Sequence, residues 1–153
     1  EGRGIFRERR ETLPGEEDRR RSSRGAACGD LDGDGDPDIV INNIDAKPTV
    51  LENRSAGRWL EVRLRGRKVN RSGIGARVTV SCGGQRQERY IQSGMSWASQ
   101  CELSARFGLV PGAPIDEVRV DWPGGAAEIF SGTPRRPVIT LVEGEGKRPK
   151  KER

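Results

Sequence analysis

Short apolar runs with a two-residue repeat dominate the chain from residue 38 onward. Leu60, Val62 and Leu64 alternate with Glu61 and Arg63, and Val118, Val120 and Trp122 alternate with Glu117, Arg119 and Asp121. That period puts the apolar set on one face and the charged set on the other, as in a half-buried β-strand. Val78 and Val80 repeat it, while Ile39-Val40-Ile41, Thr49-Val50-Leu51 and residues 138–142 are β-rich runs separated by Gly, Pro, Asn and Ser. No segment keeps apolar residues at helical spacing over about 11 positions, so the pattern predicts an all-β chain with a folded domain over residues 57–143. A short helical turn around residues 99–105 is the one departure the pattern allows. Residues 1–23 are polar, rich in Arg and Glu and broken at Pro14-Gly15, with Ile5-Phe6 the only apolar pair. They are expected to form a mobile segment with one short strand, and residues 144–153 a basic disordered tail.

Composition narrows this further. Hydrophobic residues make up 32% and charged residues 33% of 153, so the core must be modest. The net charge is +5, yet five of the 23 acids fall within residues 30–38, which leaves the rest strongly basic. Basic clusters at residues 7–10, 19–24 and 147–153 invite a phosphate-neutralisation reading. They lack interleaved aromatics for base stacking and are mixed with Glu and Pro, so they read as solvated tails, with no nucleic-acid partner. No apolar run is long enough to span a bilayer, and the charged N-terminus does not resemble a leader. A chain opening on Glu1 is expected to be a piece of a longer one. The absence of histidine removes the commonest general base and the commonest nitrogen ligand.

The acidic run reads Asp30-Leu31-Asp32-Gly33-Asp34-Gly35-Asp36-Pro37-Asp38. Carboxylates occupy alternate positions around a glycine, which suits a hard cation that takes about 6–8 oxygen ligands; magnesium, which holds its water, fits less well than calcium. The expected metal ligands are side-chain oxygens of Asp30, Asp32, Asp34 and Asp38, with Asp36 contributing its backbone carbonyl and turning its side chain outward. Unlike an EF-hand, the loop has Ile41 where the bidentate Glu belongs, and a strand follows it. The alternative is a solvated acidic turn without an ion.

At these residues the chain resembles the calcium loop of FG-GAP (integrin-α-like, or VCBS) β-propeller repeats, D-x-D-x-D-G-x-x-D. Arg24-Gly25-Ala26-Ala27, Asn42 and Asn53 add to the likeness. Farther on, Asn70-Arg71-Ser72-Gly73-Ile74-Gly75-Ala76-Arg77-Val78, Phe107-Gly108-Leu109 and Val118-Arg119-Val120-Asp121-Trp122-Pro123-Gly124-Gly125 resemble the ASPIC/UnbV domain, which follows such repeats in bacterial relatives of cartilage acidic protein. The resemblance implies a partial propeller blade with a calcium loop over residues 24–56, then a β-sandwich or barrel-like ASPIC/UnbV domain over 57–143. It also implies calcium as cofactor at Asp30, Asp32, Asp34, Asp36 and Asp38, a secreted or cell-surface location, and adhesion-type contact with a protein or glycan partner. No reaction is implied; the alternative is an enzyme or accessory protein of an enediyne-type biosynthetic pathway. Two positions depart from the family: Arg106 stands where a histidine is frequent, and Val110 where glycine is.

Other candidates read as structural. The 70–75 segment is either an anion cradle or a tight turn, and no phosphate-loop Lys-Ser/Thr pair follows it, which favours the turn. Ser93, Ser96 and Ser99 have no histidine to activate them. Trp59, Trp97 and Trp122 suit either sugar stacking or core and edge contacts. Cys28, Cys82 and Cys101 lack metal-site spacing. Cys82 and Cys101 are expected to pair in an oxidising compartment, leaving Cys28 free.

Overall fold

A computed structural model describes residues 21–149, apart from Ala126 and Arg135. The expected Ile5-Phe6 strand and the basic residues from 150 onward lie outside the described residues. Within them the fold is all-β: β1 (Ser23–Gly29), β2 (Asp38–Asn43), β3 (Thr49–Leu51), β4 (Arg58–Arg65), β5 (Arg77–Cys82), β6 (Gln85–Tyr90), β7 (Ser104–Leu109), β8 (Ile115–Asp121), β9 (Ala127–Phe130) and β10 (Val138–Val142). Three open sheets result, ordered β1-β2-β3, β10-β4-β7 and β6-β5-β8-β9. No helix among the described residues is long and apolar enough to cross a membrane.

The second and third sheets share one core. Leu60, Val62 and Leu64 of β4 and Phe107 of β7 meet Val78 and Val80 of β5 and Val118 and Val120 of β8, all nearly inaccessible to solvent. These are the alternate apolar positions of each strand. Fully burying a side chain of this size contributes about 1.5–3 kcal/mol, so this set holds the two sheets together. β4 is the organiser: it runs antiparallel to β7, from Arg58 opposite Leu109 to Arg63 opposite Ser104, and parallel to β10, with Glu61 beside Val138.

Several elements depart from the sequence expectation. No helical turn forms at residues 99–105; Ser96 and Ser99 make an isolated bridge and β7 starts at Ser104. β7 alternates along its whole length, burying Ala105, Phe107 and Leu109 while Ser104, Arg106 and Gly108 face the other way, and it pairs with β4. β6 is polar along its whole length and almost entirely exposed, an edge strand held by backbone bonds to β5. The tail expected from residue 144 is tied down as far as Lys147. The Gly144 and Gly146 amides donate to the Glu128 carboxylate, and Lys147 exchanges backbone hydrogen bonds with Ile129. Glu128 is buried and needs those donors. The 70–75 segment is a turn: Asn70 Oδ1 accepts from the Ile74 amide at 2.7 Å, and Gly73 takes a positive φ against Leu64.

Candidate metal centre

The acidic loop closes the hairpin between β1 and β2, whose last ladder pair is Gly29 with Asp38. Its local fold follows from short carboxylates capturing nearby amides. Asp30 Oδ1 accepts from Gly33 at 2.8 Å and Oδ2 from Gly35 at 3.1 Å. Asp32 accepts from the Asp34 amide and Asp34 from the Asp36 amide. Asp38, 2% exposed, ties the loop's start to the segment after β3, accepting from Leu31 at 2.8 Å and Asn53 at 2.9 Å. Gly35 is required twice over: its φ is +100°, and a Cβ there would fall 1.8 Å from the Trp59 ring. The loop therefore lies directly on β4.

Of the five aspartates predicted from the sequence, Asp30, Asp32 and Asp38 each offer an oxygen within 4.8 Å of the others. That spacing is about twice a calcium–oxygen bond of ~2.4 Å, so one cation can reach all three. Asp34 is exposed. Asp36 does not turn outward as expected: both carboxylate oxygens are buried without a hydrogen-bond partner. The nearby Ser55 amide donates to Asn53 Oδ1 at 3.2 Å and only partly offsets the crowding at Asp36. Burial, then the charge of Asp34, then those of Asp38 and Asp32 push the Asp36 carboxyl above its ordinary range. An all-oxygen donor set of this kind fits a hard cation rather than a soft one.

One cation is already at the loop's edge. Arg106, on β7, reaches Asp30 Oδ2 at 3.3 Å and the Gly35 carbonyl at 3.2 Å, and also Glu61 at 2.8 Å and Glu102 at 2.7 Å. Its guanidinium sits 5.7 Å from the Trp59 ring centroid. Burial opposes ionisation of Asp30, but hydrogen bonds from Gly35 and Gly33 and the Arg106 charge outweigh it and hold the carboxyl below its usual range. Glu61 faces away from the core as its position in the alternation requires, yet it is 1% exposed, because Arg106 covers that face and Arg63 closes it at 2.5 Å. Neither Glu61 nor Arg106 was singled out as part of a site. The signal was Arg106 standing in place of a frequent histidine.

A second cleft of about 400 Å³, away from the loop, is lined by Arg67, Lys68, Trp122, Glu128, Glu143 and Arg148 among others. Its carboxylates Glu143 and Glu128, of which only Glu128 is buried, are occupied. Glu143 Oε2 accepts from the amides of Arg67, Lys68 and Val69, which hold that carboxyl below its usual range, and Glu128 accepts from Gly144 and Gly146. These groups fasten loops rather than converge on a reacting atom.

The architecture is thus that of an all-β domain with an acidic hairpin loop seated on its β4–β7 sheet. The model of the ASPIC and UnbV family matches residues 66–148, more than half of the chain, and the protein belongs to that family. The match begins just after β4, so the acidic loop and the strand beneath it precede it. A comparison with curated proteins found no match. The ASPIC/UnbV domain is not a recognised catalytic family, and nothing among the described residues points to enzyme activity.

Proposed function

We propose that residues 30–38 bind calcium and that the chain is a non-enzymatic module of a secreted or surface protein, in which the ion rigidifies the loop against the ASPIC/UnbV domain. The observation that carries this reading is Asp36, whose two buried carboxylate oxygens have no partner and are crowded by Asp32, Asp34 and Asp38. A divalent cation supplies the missing counter-charge, with Asp30, Asp32 and Asp38 as the converging ligands. On this reading β1, β2 and β3 belong to an FG-GAP-type blade of a longer protein. A protein or glycan partner is supported by exposed apolar side chains on one stretch of chain: Tyr90, Met95 and Trp97, the last 73% accessible.

Calorimetric titration of the whole chain with calcium and with magnesium tests the site. Calcium is expected to bind with a dissociation constant on the order of 10⁻⁴–10⁻³ M, as in extracellular modules, and magnesium more weakly. Asp36→Asn is expected to weaken calcium binding about tenfold or more, an effect of about 1.4 kcal/mol. Absence of calcium binding by the unaltered chain sinks the proposal. Unchanged affinity in Asp36→Asn removes that side chain from the ligand set.

A further inference from the structure

The expected pairing of Cys82 with Cys101 is not what the fold brings together. Cys82 is 2% exposed in the core at the end of β5, where its thiol donates to the Ala113 carbonyl. Cys101 lies instead against Cys28, 73 positions away: the Cys28 amide donates to Cys101 Sγ at 3.1 Å. Since the N–Cα bond is about 1.46 Å, Cys101 Sγ sits within about 4.6 Å of the Cys28 Cα. That reach is compatible with a disulfide, in which each sulfur lies within about 4–5 Å of the opposite Cα.

The approach is not an isolated touch. β1 runs along residues 97–102 with close contacts on both sides of the cysteines: a Cβ on Gly25 would lie 2.3 Å from Ser99 Oγ, and one on Gly29 3.5 Å from the Glu102 side chain. Cys28 is exposed, Cys101 partly so, and both border a small cleft with Pro37 and Ser104. A reagent in solution can reach this pair and not Cys82.

We propose that Cys28 and Cys101 are a redox modification site, closing to a disulfide that fastens β1 to residues 97–102. The oxidant is a low-molecular-weight or protein disulfide. One cysteine thiolate attacks it, forming a mixed disulfide and releasing one donor thiol. The other cysteine attacks the protein-side sulfur and releases the second thiol. The donor disulfide is reduced to two thiols, and the chain loses two hydrogens. The bridge ties the strand that leads into the acidic loop to the segment that leads into β7.

The test is equilibration of the whole chain with mixtures of reduced and oxidised glutathione in the presence of chelator, acid quenching, alkylation of free thiols and mass mapping of the peptides. The expected product is a Cys28–Cys101 cross-link, lighter by two hydrogens, with Cys82 alkylated only after unfolding. The same mixtures in denaturant are expected to lose that preference. Cys82→Ser should leave the cross-link intact, and Cys28→Ser should leave a glutathione adduct on Cys101. A cross-link containing Cys82, separate glutathione adducts on Cys28 and Cys101 in the unaltered folded chain, or an equal preference in denaturant would each overturn the proposal. Mapping of the unaltered chain decides even where a variant fails to fold.

Discussion

Replacing Arg106 by methionine tests whether the acidic loop and the β4–β7 sheet are held through one buried charge. Glu61 has one guanidinium on each oxygen: Arg63 on Oε1 at 2.5 Å and Arg106 on Oε2 at 2.8 Å. Arg63 is more than half exposed, whereas the Arg106 side chain is 16% exposed, so Arg106 is the partner that solvent does not readily replace. Leaving a buried charge without its partner costs about 3–5 kcal/mol. Arg63 remains in Arg106→Met, which lowers that to about 2 kcal/mol. Loss of the stack on Trp59 adds roughly 0.5–1 kcal/mol, and the half-exposed pair with Glu102 adds little. A destabilisation of about 3 kcal/mol is therefore expected. Glu61→Gln removes the charge that Arg106 compensates, so the double variant should be more stable than the two single losses predict, by about 1.5 kcal/mol. Urea unfolding followed by tryptophan fluorescence, in chelator, supplies the four stabilities of the cycle. Single effects that add to within about 0.5 kcal/mol would refute the argument.

Three further outcomes follow from the same geometry. Gly35→Ala forces a side chain into Trp59 at a φ of +100°, and should undock the loop. Hydrogen exchange should then accelerate at the Gly33, Asp34 and Asp36 amides but not in β5 and β8, and unchanged loop protection would contradict the docking. Without cation, Asp36→Asn should stabilise the protein at neutral pH, because the Asp36 carboxyl is raised in the folded state. A raised carboxyl contributes stability below its unfolded value of about 3.9 and loses it as pH rises through the folded value, so the advantage of the variant should appear over that rise and vanish in acid. Asp121 has the opposite sign: burial opposes its ionisation, but hydrogen bonds from Arg119 and Arg77 lower its carboxyl. Asp121→Asn should cost about 1 kcal/mol at neutral pH, and the difference should disappear as pH falls through the depressed value. A gap that persists in strong acid would assign the loss to something other than the ion pairs.

The sequence determined what depends on neighbours along the chain. Alternation at residues 60–64, 78–80 and 118–122 marked strands and their inward faces, because a pleated strand exposes successive side chains to opposite sides. Alternate aspartates around Gly35 marked the acidic loop for a similarly local reason: a turn of that length turns its own carboxylates toward its own amides. β6 carries no such mark, because its strand character comes from hydrogen-bonding to β5, which no local pattern records; β7 does carry the alternation, in Ala105, Phe107 and Leu109, directly after the stretch where a helical turn was expected. Alternation correctly placed Glu61 off the core face, but it could not tell that the face was covered. Only the docking of the 30–38 loop and Arg106 over β4 decided that, and the same docking placed Trp59 beneath Gly35. The parallel pairing of β10 with β4 and the approach of Cys28 to Cys101 rest on contacts between residues more than seventy positions apart. Such contacts are set by which surfaces can be buried together, and that competition is resolved only when the whole chain has folded.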